Sequence, residues 1–291
     1  MTRNYLYSGT AEHPVYADIV AAQPGAHKPP IVMVHGGFHN GTAYLATPDG
    51  REGWAPLFAR RGHDVYVMDW PGHGRSPSSA AFNELSTVDV GRSLGALLQE
   101  IGPAIVFAHS AGGPIAWWVA ENFREYVVAV VGLAPGAPAN LVPALATEPA
   151  ADPGGHAIYA PTDRPAFVDR AFIRKFWANS PRFPQQAFEA YARSIGPESP
   201  RILNERFNIG ASGLYLQHPE RLAGLPMLVL TGDHDPRHPK DTDGPLAAFL
   251  GADFVWLPDR GILGNGHMLM IEDNSAQIAA LVAHWLEEQG I

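Results

Sequence analysis

The sequence predicts an α/β fold: a doubly wound, mostly parallel sheet with a helical cap inserted over the C-terminal edge of its strands. Three observations carry that expectation. Short apolar runs recur along the chain, amphipathic helical patterns separate them, and one long stretch breaks the alternation.

In chain order the runs are IVMVHGG from Ile31, VYVMDWPG from Val65, AIVFAHS from Ala104, VVAVVGL from Val127, MLVLTGD from Met227 and FVWLP from Phe254. Runs rich in β-branched residues, without polar alternation, suit parallel strands buried on both faces. Between them, STVDVGRSLGALLQEIG sets Val90, Leu94, Leu97, Leu98 and Ile101 on one helical face. Ser86 with Asp89 makes a capping-box pattern, and Gly102-Pro103 ends the helix. The last segment repeats this logic, with Ile278, Leu281, Val282, Trp285 and Leu286 in one stripe after an Asn274-Ser275 start. Strands alternating with helices imply a sheet covered on both faces.

From about Gly136 to Leu225 the rhythm fails. Prolines are frequent, no β run occurs, and FVDRAFIRKFWANS and PQQAFEAYARSI read as helices. The expected division is a core of residues 1–135 and 226–291 with a cap of residues 136–225.

Composition narrows the function. A formal charge of −9 argues against a nucleic-acid surface, because phosphate binding needs a basic face. The chain has no cysteine, which excludes disulfides, thiolate catalysis and cysteine-ligated zinc. The N-terminal MTRNYLYSGTAEHPVYADIV lacks the continuous apolar core of a signal peptide, and no segment approaches bilayer-crossing length. The expectation is a cytoplasmic protein acting on a small-molecule substrate, with no cofactor and no membrane partner; a homodimer is compatible with the chain.

In open α/β sheets, ligands bind beyond the carboxyl ends of the strands. His35, Asp69, Ser110, Asp233, Asp235 and His267 fall at or just after such ends. Within IVFAHSAGGPIAWW, Ser110 is a candidate nucleophile on a strand-to-helix elbow. Such a turn needs small neighbours, which Ala108, Ala111, Gly112 and Gly113 supply, Ala108 standing where the usual pattern has glycine. A buried serine at an ordinary turn fits those residues equally well; the order of the other elements favours the nucleophile.

A serine hydroxyl needs a base to take its proton. His267, in the glycine-rich GILGNGHMLMIEDN ahead of the final helix, has the required last position. LVLTGDHDPRHP offers two acids to orient it: Asp235, three residues beyond Gly232, and Asp233 as the alternative. Two backbone N–H groups should receive the oxyanion. Ala111 supplies one, and HGGFHNG the other, from Gly37 first and Phe38 second. Asp233, Asp235 and His238 form a rival metal set, but without HExxH spacing no metal is expected.

The cap carries many rings, among them Phe172, Trp177, Phe188 and Tyr191, and many arginines, Arg206 included. Phe38 and Trp177 are the candidate substrate-binding rings, suited to a hydrophobic or aromatic ester, whereas other rings pack the cap to the core. An arginine is a candidate for a substrate carboxylate. Of Trp117 and Trp118, helical geometry lets at most one face the site.

HGGFHNG, DWPGHGRS, AHSAGG, TGDHD and GNGHM, in this order, resemble the α/β-hydrolase superfamily of serine-esterase type, from about Ile31 to the C-terminus outside the cap. TPDGREGW with GILGNGHMLMIEDN further resembles a bacterial haloketone-esterase-like group. That group's acid is a glutamate after the strand following the nucleophile helix; VGLAPGAP has Ala134 there, which favours Asp235 or Asp233. The resemblance implies cleavage of a carboxylic ester through an acyl-enzyme. The alternatives are C–C bond or lactone hydrolysis by the same triad, and a non-catalytic small-molecule sensor. Relatives with aspartate at the elbow, the haloalkane dehalogenases and epoxide hydrolases, are excluded by Ser110.

Overall fold

The computed structural model describes residues 4–23, 25, 28–146 and 159–291. One eight-stranded sheet runs in the order β1-β2-β4-β3-β5-β6-β7-β8. The strands are β1 (Tyr5–Gly9), β2 (Pro14–Val20), β3 (Ile31–Val34), β4 (Val65–Asp69), β5 (Ala104–His109), β6 (Val127–Leu133), β7 (Met227–Thr231) and β8 (Asp253–Trp256). From β4 to β8 all pairs are parallel, and these six strands are the six apolar runs. β1 and β2 add an antiparallel edge on β4 that the sequence analysis did not include. Only Val15 and Ala17 of β2 are fully buried there, so the hairpin has the alternation of a half-covered edge rather than a continuous run.

The helices are α1 (Thr42–Leu45), α2 (Trp54–Ala59), α3 (Thr87–Ile101), α4 (Gly112–Asn122), α5 (Arg170–Phe176), α6 (Phe188–Ser194), α7 (Pro200–Arg206), α8 (Lys240–Leu250) and α9 (Ser275–Glu288). Strand periodicity sends successive side chains to opposite faces. Ile31, Met33, Ile105 and Phe107 enter one core with Trp54 and Phe58 of α2 and Ile278, Val282 and Trp285 of α9. Val32, Val34, Val106 and Ala108 enter the other with residues of α3, α4 and α8. Each such aliphatic or aromatic side chain contributes about 1.5–3 kcal/mol on full burial. Among the described residues, no helix is long and apolar enough to cross a membrane.

Helix ends follow local chemistry. Both hydrogen bonds of the Ser86–Asp89 capping box are present at α3, which stops at Gly102 with φ of 90°. Asn274 makes no side-chain cap on α9; its amide bonds Asn265 instead, at 2.7 and 3.1 Å, and so steadies the loop that carries His267.

Between β6 and β7 the described residues add no strand to the sheet and hold α5, α6 and α7. Phe176, Trp177, Phe183, Phe188 and Tyr191 are buried in the same core as α9, which fastens this segment to the sheet. The elbow tryptophans both pack into the fold. Trp117 is fully buried, donating to the Gly136 carbonyl at 3.1 Å, and Trp118 covers Gly91 of α3; neither lines the large cavity described below.

Candidate active site

Three non-glycine residues with positive φ stand beyond neighbouring strand ends: Phe38 (65°) after β3, Ser110 (51°) after β5 and Ala134 (42°) after β6. A left-handed conformation costs an ordinary residue about 1–2 kcal/mol, so surrounding contacts must enforce it. At Ser110 they do. Its N–H donates to the Leu133 carbonyl at 3.1 Å, and its carbonyl accepts from Gly113 at 2.9 Å and Gly136 at 2.7 Å.

Close approach explains the small residues. A Cβ on Gly112 would lie 2.8 Å from the His35 carbonyl, and one on Gly36 would lie 2.8 Å from the Ser110 Cβ. Ala108 needs no such room, because its methyl is buried within the sheet core.

His267 is fully buried, and its Nδ1 lies 2.5 Å from Oδ2 of Asp235. Its carbonyl accepts from Nε2 of His109, and the two rings are 4.6 Å apart, which brings His267 beside the elbow. His267 Nε2 is buried without a hydrogen-bond partner, so no such bond joins it to the Ser110 hydroxyl. Catalytic hydrogen bonds are often long before substrate closes the site.

Asp233 turns away from His267. Its Oδ1 accepts the N–H groups of Gly264 and Asn265 at 2.8 and 3.1 Å, bracing the loop from below. The rival metal set therefore does not assemble. Asp235, His238 and His267 offer donor atoms within 4.8 Å of one another instead; Asp235 is hydrogen-bonded to His267, and His238 to Asp243.

Ala111 and Gly37 face each other: a Cβ on Gly37 would lie 3.7 Å from that of Ala111. Neither N–H has an acceptor among the described residues. Phe38 differs, because its N–H donates to Glu198 Oε2 at 2.9 Å. Glu198, fully buried, also accepts from Ser199 N–H and lies 3.2 Å from His73 Nε2, a contact too poorly aligned to be a hydrogen bond. Sequence reasoning missed Glu198. Nothing in GPESP marks it, since its partner is 160 positions away.

Truncating Glu198 leaves these donors without an acceptor. Glu198→Ala should lower the unfolding free energy by about 2 kcal/mol or more in urea denaturation, and Glu198→Gln, which keeps one acceptor oxygen, by less. A change below about 0.5 kcal/mol, the size of an ordinary surface substitution, contradicts this role.

The electrostatics separate the histidines. Burial drives His35 and His109 well below the ordinary imidazole value, and His39 down to about 4, so all three are neutral donors or acceptors. Burial also pushes His267 down; the Asp235 carboxylate opposes this, while His238 and Arg206 add to it. Burial pushes Asp235 upward, but the imidazoles of His267 and His238 outweigh it and hold the carboxyl well below its usual range. An imidazole acts as a general base only when neutral, so with His267 in that role kcat/KM should rise with pH through a limb centred below about 6.5. A limb centred above about 7 would mean that Asp235 prevails over burial.

TPDGREGW and GILGNGHMLMIEDN meet in space. Arg51 donates to the carbonyls of Ile271 and Glu272, each at 2.9 Å, and Trp54 Nε1 to that of Ser275. Glu272 in turn accepts from Gly266 N–H, Asn265 and Ser180, so the His267 loop is held on both sides.

A cavity of about 500 Å³ opens beside this centre, its described walls including Phe38, Phe172, Trp177, Phe207, Arg206 and Arg237. Ser110 and His267 are not on its wall. Arg206 also borders a small hollow lined by Ala111 and Pro114, and so stands between the cavity and the elbow.

The model of the Alpha/beta hydrolase family matches residues 31–281. A probable secreted lipase, phiG, of a fungal species (Fungal sp., strain ATCC 74256) is 25% identical over 337 residues, covering 94% of this chain and 86% of the lipase. A thermophilic esterase from Thermogutta terrifontis shares the fold with a TM-score of 0.68 at 16% identity, over 99% of both chains. The esterase RhEst1 from Rhodococcus sp. ECU1013 gives 0.66 at 16% identity, over 98% of both. At such identities the two structures speak for the fold alone. The family match spans every parallel strand and both loops that flank the elbow, and on it the chain belongs to the alpha/beta hydrolase family.

Proposed function

We propose that this protein is a carboxylic ester hydrolase with Ser110 as nucleophile, His267 as general base and Asp235 as the acid that orients it. The observation that carries the reading is the buried His267–Asp235 pair set against the strained elbow, with Gly37 packed close to Ala111 and both of their N–H groups without an acceptor among the described residues. His267 Nε2 takes the Ser110 proton as the hydroxyl oxygen attacks the ester carbonyl. The carbonyl oxygen becomes an oxyanion beneath the Gly37 and Ala111 amides. The imidazolium then gives its proton to the departing alcohol, leaving an acyl-serine. Water, deprotonated by the same imidazole, releases the acid.

Residues 136–225 act as a cap over the core of residues 1–135 and 226–291. Phe38 and Trp177, whose rings are 5.8 Å apart, form part of a mostly apolar acyl or alcohol site suited to hydrophobic or aromatic esters. Asp235 fills the role that a glutamate at the Ala134 position fills in the haloketone-esterase-like group.

A fluorophosphonate probe tests the reading. It should add one phosphonyl group at Ser110, located by peptide mass, and block turnover of phenyl esters. Unlabelled Ser110 in a preparation that hydrolyses esters would overturn the assignment. A panel of esters, lactones and β-diketones separates ester from C–C cleavage, with esters expected to turn over fastest.

A further inference from the structure

The large cavity carries a charge pattern that ester cleavage itself does not require. Its described walls hold Arg206 and Arg237 together with Arg164, which is exposed and pairs with Asp163, and one carboxylate, Asp169. Asp169 is already engaged, accepting the Phe172 N–H at 2.8 Å as the cap of α5.

Arg206 decides the matter. Among the described residues, the nearby acids are committed elsewhere. Glu205 binds Thr87 through its N–H and hydroxyl, and Arg201 at 2.9 Å. Glu198 serves Phe38, Ser199 and His73, and Asp235 serves His267 and the Arg237 N–H. Among the described residues, Arg206 has no ion-pair partner. Burial and the neighbouring Arg237 push its guanidinium down to about 9, against the opposing pull of the Asp235 and Glu198 carboxylates, which still leaves it cationic at neutral pH. A half-buried guanidinium with no carboxylate in direct contact gains from a ligand's anion placed against it. Arg237 adds to the field from a guanidinium stacked over Phe176 at 4.4 Å and Phe172 at 5.0 Å.

Resting on the ester-hydrolase reading above, we propose that the cavity selects esters that carry a free carboxylate, received by Arg206. The planar guanidinium fork matches a carboxylate bidentately, and the apolar walls suit the rest of such a molecule. The carboxylate is a handle and takes no part in the acyl transfer. Because Arg206 borders both the cavity and the hollow beside Ala111, the anchored end lies near the reacting carbonyl.

Two substrate pairs test this with the wild-type protein. One is para-acetoxybenzoate against para-acetoxybenzamide, with the charge on the alcohol side. The other is monophenyl adipate against its terminal amide, with the charge on the acyl side. In at least one pair the carboxylate member should show a KM lower by about tenfold or more at similar kcat, the effect of one charge-assisted pair. Arg206→Gln should collapse that ratio, and Arg206→Lys should retain part of it. Amides with KM values equal to or below those of the acids in both pairs would overturn the proposal while leaving ester hydrolysis intact. A preference that survives in folded Arg206→Gln would overturn the assignment to Arg206. Absence of both turnover and fluorophosphonate labelling would overturn the ester-hydrolase reading itself, and this inference with it.

Discussion

Ser110→Ala should lower kcat for a phenyl ester by about a millionfold, the scale on which loss of the nucleophile collapses a serine-hydrolase triad. The methyl that remains cannot form an acyl bond, and His267 has no hydroxyl to deprotonate. Residual catalysis of about 10³–10⁴ over water is expected, because the substitution leaves the proposed oxyanion amides of Gly37 and Ala111 in place. The substitution is mild for the fold: alanine keeps the Cβ that packs at Gly36, and the bonds holding Ser110 at φ of 51° are all backbone. Stopped assays at high enzyme concentration, with circular dichroism to verify folding, measure the loss. A variant retaining more than about one per cent of wild-type kcat would rule out Ser110 as nucleophile.

Asp235→Asn should cost about ten-thousandfold in kcat. The amide leaves the size of the side chain nearly unchanged but presents a neutral group to His267 Nδ1, which lies 2.5 Å from the native carboxylate. The imidazole then loses both the acceptor that fixes its tautomer and the charge that stabilises its protonated form. Asp233→Asn is the matched control. Its carboxylate faces the Gly264 and Asn265 N–H groups, so an amide oxygen there preserves the contact, and kcat should fall less than about tenfold. The two variants assayed side by side decide between the acids; a larger loss from Asp233→Asn would reverse the assignment.

The legibility of this chain followed its periodicity. The parallel strands are buried on both faces and show up as unbroken apolar runs, so all six could be placed from sequence. β1 and β2 could not, because an edge hairpin with Tyr5 and Tyr7 exposed has no such run. At the site, residues that end strands were visible, since the fold puts chemistry there. Loop position alone favours Asp235 over Asp233, because the two lie two positions apart in one loop. Which of them meets His267 depends on the course of that loop, which neither composition nor spacing encodes.

Contacts between distant segments were invisible for a different reason. Arg51 reaches carbonyls about 220 positions away, and Asn274 serves Asn265 rather than its own helix. Such bonds link loops whose meeting is decided by the sheet order, so no local pattern announces them. Arg206 was one arginine among many until the partners of Glu205, Glu198 and Asp235 were known.

The bond from Glu198 to the Phe38 amide joins a residue of the α6–α7 connection to the peptide immediately after Gly37. Grafting a foreign lid onto this scaffold, a common route to altered selectivity, would discard that acceptor and free the Phe38 peptide to rotate. A chimera that replaces the α6–α7 connection must therefore import a carboxyl at the same spot to keep the Phe38 peptide held.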